Sequence, residues 1–239
     1  MRRTAERLRG NPVAVMVAVV AALVLVIASI AVLRRSDSEE PISAIETTGQ
    51  PATRGPCVIL LHGKGGSGSP TVRTGAYATV SPTGNAAGWG GRQWQYFPDA
   101  DYSSARRAVA DAIDREGCDR VVLKGFSNGA AFAAKLYCRS ETFNGRVVGV
   151  VVDDPVTDRA VEGCAPAPGV RLALYWTGAL EGQAQPGWAC ATADWTCERG
   201  TTIGIRAYAA ALGVAPSPSP NREHAPFVDA PEPATWLAR

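Results

Sequence analysis

Histidine is scarce in this chain, with two in 239 residues. Any scheme that needs an imidazole, as base or as metal ligand, is therefore confined to His62 and His224. Net charge is equally sparse, a formal +2, which removes the electrostatic footprint of a nucleic-acid binder. Arginine greatly outnumbers lysine and alanine is plentiful, which reads as compositional bias and not as a binding surface. The six cysteines match no zinc-finger spacing, and neither histidine sits near a cysteine cluster, so no metal site is expected. Gly63-Lys-Gly-Gly lacks both the upstream glycine and the Ser/Thr after lysine that a phosphate-cradling loop requires. No internal repeat is visible.

Long apolar runs are limited to one. Pro12 to Leu33 is apolar for about twenty residues, long enough to cross a bilayer as a helix. Arg2, Arg3, Arg7 and Arg9 precede it, while Arg34 and Arg35 are soon offset by Asp37, Glu39 and Glu40. Positive charge on the inner side predicts a cytoplasmic segment 1–11, a membrane anchor over 12–33 and everything after it outside the cell. Ser29-Ile-Ala31 would also serve as a small-residue cleavage site, so a long signal peptide and a secreted product are the alternative. Segment 34–54 is polar and reads as a tether, with a short edge strand near Ile42 to Ile45. The rest, 55–239, is enough for one α/β domain with a good core and leaves no room for a large lid.

Within that domain, strand signals alternate with helix signals. Val58–Leu61, Tyr77–Ser81, Val121–Leu123, Val147–Val152 and Val170–Trp176 read as strands, with another short one around Val214. A helix capped by Asp101 runs to Glu116, carrying Ala105, Val109, Ala112 and Ile113 at helical spacing. A second follows Gly129, a third spans Thr201 to Leu212 and stops at Gly213, and a last short one covers Pro231 to Leu237. Such alternation predicts a mostly parallel sheet covered on both faces.

The chemistry concentrates where strands meet turns. Gly125-Phe-Ser-Asn-Gly129 joins the run Val121-Val-Leu-Lys124 to the Ala-rich stretch after Gly129. A strand, a sharp turn with serine at its tip and then a helix make Ser127 a candidate nucleophile. The helix N-terminus would favour negative charge developing there. His62 ends a buried strand and opens the glycine-rich turn His62-Gly-Lys-Gly-Gly-Ser-Gly68. Its expected role is to brace that turn, which leaves His224 as the base for Ser127.

Leu60-Leu-His-Gly-Lys-Gly-Gly-Ser-Gly68, Gly125-Phe-Ser-Asn-Gly-Ala-Ala131 and the late His224-Ala-Pro226 together resemble serine esterases of the α/β-hydrolase fold. The nearer types are small carboxylesterases and thioesterases, or polyhydroxyalkanoate depolymerases and feruloyl esterases. The resemblance covers residues 55 to 239. It implies hydrolysis of an ester or thioester through an acyl-enzyme; a monomer that needs no cofactor is expected. The substrate would be a small-molecule, lipid or polymer ester.

It further implies an oxyanion hole from the backbone N–H of Asn128 and that of Lys64 or Gly65. Two places compete for the acid that orients His224. Glu181 follows the second-last strand, where the resembling family usually carries its acid. Asp154 ends the preceding strand, with Asp153 and Asp194 as lesser candidates. The stretch from Pro82 to Ala100 carries Trp89, Trp94, Tyr96 and Phe97. These would form either an aromatic wall for substrate, with Trp89 and Trp94 touching it, or a mini-core that pins a long loop. In the resembling fold the strands after Cys57 and Cys118 are neighbours, which implies a Cys57–Cys118 bridge. Cys190 with Cys197, close in sequence, and Cys138 with Cys164 would complete the set. An inactive binding protein on the same fold and a cell-envelope acyltransferase are the rival functions.

Overall fold

A computed structural model describes residues 54–178 and 204–238. The anchor or signal span 12–33, the tether up to residue 53, and the candidates Glu181, Cys190, Asp194 and Cys197 lie outside the described residues. Among the described residues no helix is long and apolar enough to cross a membrane.

The chain builds β1 (Gly55–Leu61), β2 (Ser69–Thr74), β3 (Tyr77–Ser81), β4 (Ala86–Gly88), β5 (Gly91–Gln93), α1 (Asp99–Arg115), β6 (Cys118–Phe126) and α2 (Asn128–Cys138). There follow β7 (Val147–Asp153), a 3-10 turn (Arg159–Val161), β8 (Arg171–Trp176), α3 (Ile205–Leu212), β9 (Ser217–Pro218) and α4 (Glu232–Leu237). Seven strands form one sheet in the order β2-β3-β1-β6-β7-β8-β9. All neighbours pair in parallel except β2 with β3. The expected mostly parallel α/β sheet is therefore present.

Alternate residues of each central strand feed opposite faces, as the pleat requires. Cys57, Ile59, Leu61, Val121, Leu123, Val150, Val152 and Leu174 join the larger core with α1, α2 and α3. Val58, Val122 and Val151 face the other way, where Ala230, Phe227, Trp236 and Leu237 cover them. Because both faces are covered, the strands read as nearly unbroken β-branched runs. Helix α1 buries Tyr102, Ala105, Val109, Ala112 and Ile113, the expected stripe at 3.6-residue spacing.

Some boundaries differ from the sequence reading. Helix α1 starts at Asp99 after Pro98, so Asp101 lies in its first turn and is not the cap. An aspartate there still complements the helix dipole, which is why the composition looked like a cap. The strand expected around Val214 sits instead at Ser217–Pro218, pairing with Tyr175 and Trp176. Strand β2 and the hairpin β4–β5 were not legible. They are short, polar or glycine-rich, and β5 is fixed by backbone bonds to the turn after His62.

Two disulfides occur among the described residues, Cys57–Cys118 and Cys138–Cys164. The first ties β1 to β6 where both begin, at the opposite ends of these strands from the turns that carry His62 and Ser127. The second fastens the end of α2 to the segment after the 3-10 turn.

Candidate active site

Ser127 lies between β6 and α2 with φ 55° and ψ −117°, a conformation that non-glycine residues rarely adopt and that stores strain. Close approach of the flanking backbone holds it there. A Cβ at Gly125 would lie 2.2 Å from the carbonyl oxygen of Gly129, and one at Gly129 would lie 2.1 Å from that of Leu61. The glycines two before and two after the serine thus let β6, α2 and the end of β1 touch main chain to main chain. The N–H of Ser127 donates to Asp153 O (3.1 Å), tying the bend to β7.

His224 comes from the loop between β9 and α4. Its Nε2 lies 2.9 Å from Ser127 Oγ and its Nδ1 lies 2.6 Å from Asp154 Oδ2. An ionised carboxylate only accepts, so the Nδ1 proton faces Asp154 and Nε2 is left to accept the serine O–H. The Phe126 ring lies 4.7 Å from the imidazole, centroid to centroid.

Asp154 is completely buried, and it too occupies the left-handed region, with φ 46°. Beyond His224 it accepts from Thr177 N–H at Oδ1 (3.1 Å) and from Thr177 Oγ1 at Oδ2 (2.8 Å). Three donors therefore converge on one carboxylate at the end of β7. The sequence reading did not single out Thr177. Its signal was its place directly after β8, the strand next to the one that ends at Asp154.

His62 has both ring nitrogens engaged locally. Nδ1 bonds Gly63 O (2.8 Å), and Nε2 accepts from Gly84 N–H (3.0 Å). Burial lowers its pKa first, with Arg92 acting the same way and the Gly63 bond opposing. A neutral ring pinned on both sides braces the turn, as expected for it. That turn lies against the serine, since a Cβ on Gly63 would be 3.3 Å from Ser127 Cβ. Gly65 N–H donates to Arg92 O (2.9 Å), which commits that amide to β5. Asn128, the first residue of α2, has a second use. Its side chain accepts from Trp94 N–H (2.8 Å) and donates to Trp94 O (3.0 Å), fastening the long loop to the serine bend.

The two tryptophans separate. Trp94 is 1% exposed, stacks on Phe132 at 5.1 Å and approaches the His62 ring at 5.4 Å. It belongs to the mini-core and not to a substrate wall, because its ring fills the space between α2 and the His62 turn. Tyr96 and Phe97 share that core, and Lys135 Nζ donates to Tyr96 O while lying 3.3 Å from the Phe97 ring centroid. Trp89 is 63% exposed at the tip of the β4–β5 hairpin. Its carbonyl lies against Gly65, beside the candidate oxyanion turn. Among the described residues no group of His, Cys, Asp and Glu could hold a metal ion.

The chain is similar to solved esterase structures. One is a carboxylesterase from Bacillus cereus, 20% identical, aligned over 73% of this chain and 83% of that one with a TM-score of 0.46. Another is esterase B from Lactobacillus rhamnosis, 16% identical over 94% of each chain, with a TM-score of 0.38. A protein of unknown function from Agrobacterium tumefaciens is 17% identical over 77% of this chain and 91% of its own, with a TM-score of 0.44. No family model matches the sequence. No curated protein matches it either.

Proposed function

We propose that this chain is a serine hydrolase that cleaves a carboxylic ester or thioester through an acyl-enzyme. One observation carries the reading: an unbroken hydrogen-bonded run from Ser127 Oγ through both nitrogens of His224 to the buried carboxylate of Asp154. Strained backbone at Ser127 adds to it, because such strain concentrates where geometry serves chemistry.

In this mechanism His224 Nε2 takes the Ser127 proton as Oγ attacks the carbonyl carbon. The imidazolium that forms is stabilised by Asp154, which keeps its own charge. Negative charge on the carbonyl oxygen falls at the N-terminus of α2, where the amides of Asn128 and Lys64 receive it. His224 returns the proton to the departing alcohol or thiol. Water, deprotonated by the same nitrogen, then attacks the acyl group and frees Ser127. Trp89 is the proposed contact for the substrate's acyl or alcohol part.

Export belongs to the proposal as well. The apolar span 12–33 with arginines on its leading side supports a catalytic domain held outside the membrane. Protease added to intact cells should then degrade the domain, and protection of the domain would contradict export. For the chemistry, the full-length protein should hydrolyse short p-nitrophenyl esters. Ser127→Ala should lower kcat by a factor on the order of 10⁴ or more, as loss of a triad nucleophile does. Turnover unaffected by that change contradicts the assignment.

A further inference from the structure

Two of the chain's three lysines are buried. One of them, Lys124, lies within the central strand β6, three residues before Ser127. A strand covered on both faces favours apolar residues, and an ammonium there is costly unless its hydrogen bonds are met. Asp153, fully buried, is likewise out of place at the end of β7, immediately before Asp154. The proposed chemistry uses neither. By the alternation of the strands both belong to the face covered by α4, the side of Val122 and Val151.

Both reach the backbone of Phe227, and Lys124 that of Val228 as well. Lys124 Nζ donates to Phe227 O (2.6 Å) and Val228 O (2.7 Å), and Asp153 Oδ2 accepts from Phe227 N–H (2.6 Å). The held dipeptide begins three residues after His224. In front of His224, Ser219 N–H donates to Trp176 O (2.9 Å). The loop that carries the imidazole is thus fastened at both ends, and at its rear end by side chains from the strands that deliver Ser127 and Asp154. Packing alone does not supply this. The Phe227 ring meets Tyr175 edge-on at 4.9 Å, a contact to the side chain, and Asn221 Nδ2 donates to Ala225 O (2.9 Å) as a further tie within the loop.

We propose that Lys124 and Asp153 are positioning residues for His224, a two-sided clamp on the backbone of Phe227 and Val228 that sets the imidazole's distance to Ser127. The proposal rests on the hydrolase reading above. Misplacing a reacting group by about 1 Å can cost roughly 100-fold in rate, so even a small pivot is expensive. The charge of the clamp responds to pH. Burial pushes the Asp153 carboxyl up to about 6, with Phe227 N–H, Lys124 and His224 opposing and Asp154 adding to the rise. Tyr175 on β8 also faces it, and Glu232 and Asp229 face Lys124.

The test uses Asp153→Ala, Asp153→Asn and Lys124→Met in the full-length protein, with melting temperatures recorded beside kinetics on a p-nitrophenyl ester. Asp153→Ala and Lys124→Met should lower kcat by about 10- to 100-fold with KM nearly unchanged. Asp153→Asn keeps an acceptor for Phe227 N–H and should recover most of the rate lost in the alanine variant. It also removes one ionisation from the acid limb of the pH profile, which should become less steep. Adding Asp153→Ala to His224→Ala should leave the residual turnover unchanged, because the clamp acts through His224. Wild-type kcat in Asp153→Ala and Lys124→Met, or an equal loss in both backgrounds, overturns the clamp. Covalent labelling of the wild type at Ser127 by a fluorophosphonate tests the hydrolase reading separately, so either idea can fail alone.

Discussion

A buried carboxylate can serve or burden a fold according to its donors, and the adjacent pair Asp153 and Asp154 shows both cases. Asp154 has three donors, whereas Asp153 has one on Oδ2 and none on Oδ1 among the described residues. Replacing Asp154 by Asn keeps its shape but lets the amide donate, which favours the wrong His224 tautomer. That variant should lose about 10⁴-fold in kcat. Glu181→Gln should leave the rate within about threefold of wild type, since His224 Nδ1 already has Asp154 as its partner. The reverse ranking in steady-state kinetics would move the acid to Glu181. For Asp153 the sign runs the other way. A carboxyl raised to about 6 by burial stabilises the fold while protonated, below about 4, and that contribution disappears as pH rises through 6. Relative to wild type, Asp153→Asn should therefore gain on the order of 2–3 kcal/mol between pH 4 and 7 in urea titrations. A relative loss over that interval contradicts the assignment.

Elements built on apolar runs could be read from the sequence, and those built on backbone contact could not. Val147–Val152 can hardly be anything but a covered strand, and the stripe on α1 follows from its spacing alone. Ser69–Thr74 carries one large apolar residue, Val72, half exposed at 55%, so β2 exists because β3 offers it hydrogen bonds. The serine bend was legible because its glycines answer to steric contact, 2.2 Å at Gly125. Gly125→Ala should destabilise by about 1–3 kcal/mol or more, as overpacking does, and an unchanged denaturation midpoint would show that the helix can shift. The partner of His224 Nδ1 was not legible, since the 70 positions between Asp154 and His224 close only through the order of the strands. The side-chain use of Asn128 and the role of Thr177 escaped for the same reason, their partners lying 34 and 23 positions away. Lys124 and Asp153 left a trace, a lysine ending one apolar run and a doublet of aspartates ending another.

Across the whole domain, rigidity and chemistry occupy opposite ends of the parallel strands. Cys57–Cys118 fastens the beginnings of β1 and β6, and the His62 turn, Ser127, Asp154 and Thr177 follow the ends of β1, β6, β7 and β8. Loops at that end need a stiff base to hold ångström geometry, and the bridge between β1 and β6 supplies one. Reduction should lower stability by about 2–4 kcal/mol per bridge, readable as a fall in melting temperature with dithiothreitol, and no fall would mean that the bridges are not formed. The central claim remains the meeting of Ser127 with an imidazole 97 positions later. A fluorophosphonate probe followed by peptide mapping tests it most directly. The account predicts one modified residue, Ser127, with labelling abolished in Ser127→Ala and greatly slowed in His224→Ala. An unlabelled wild type, or labelling that is indifferent to His224, would contradict it.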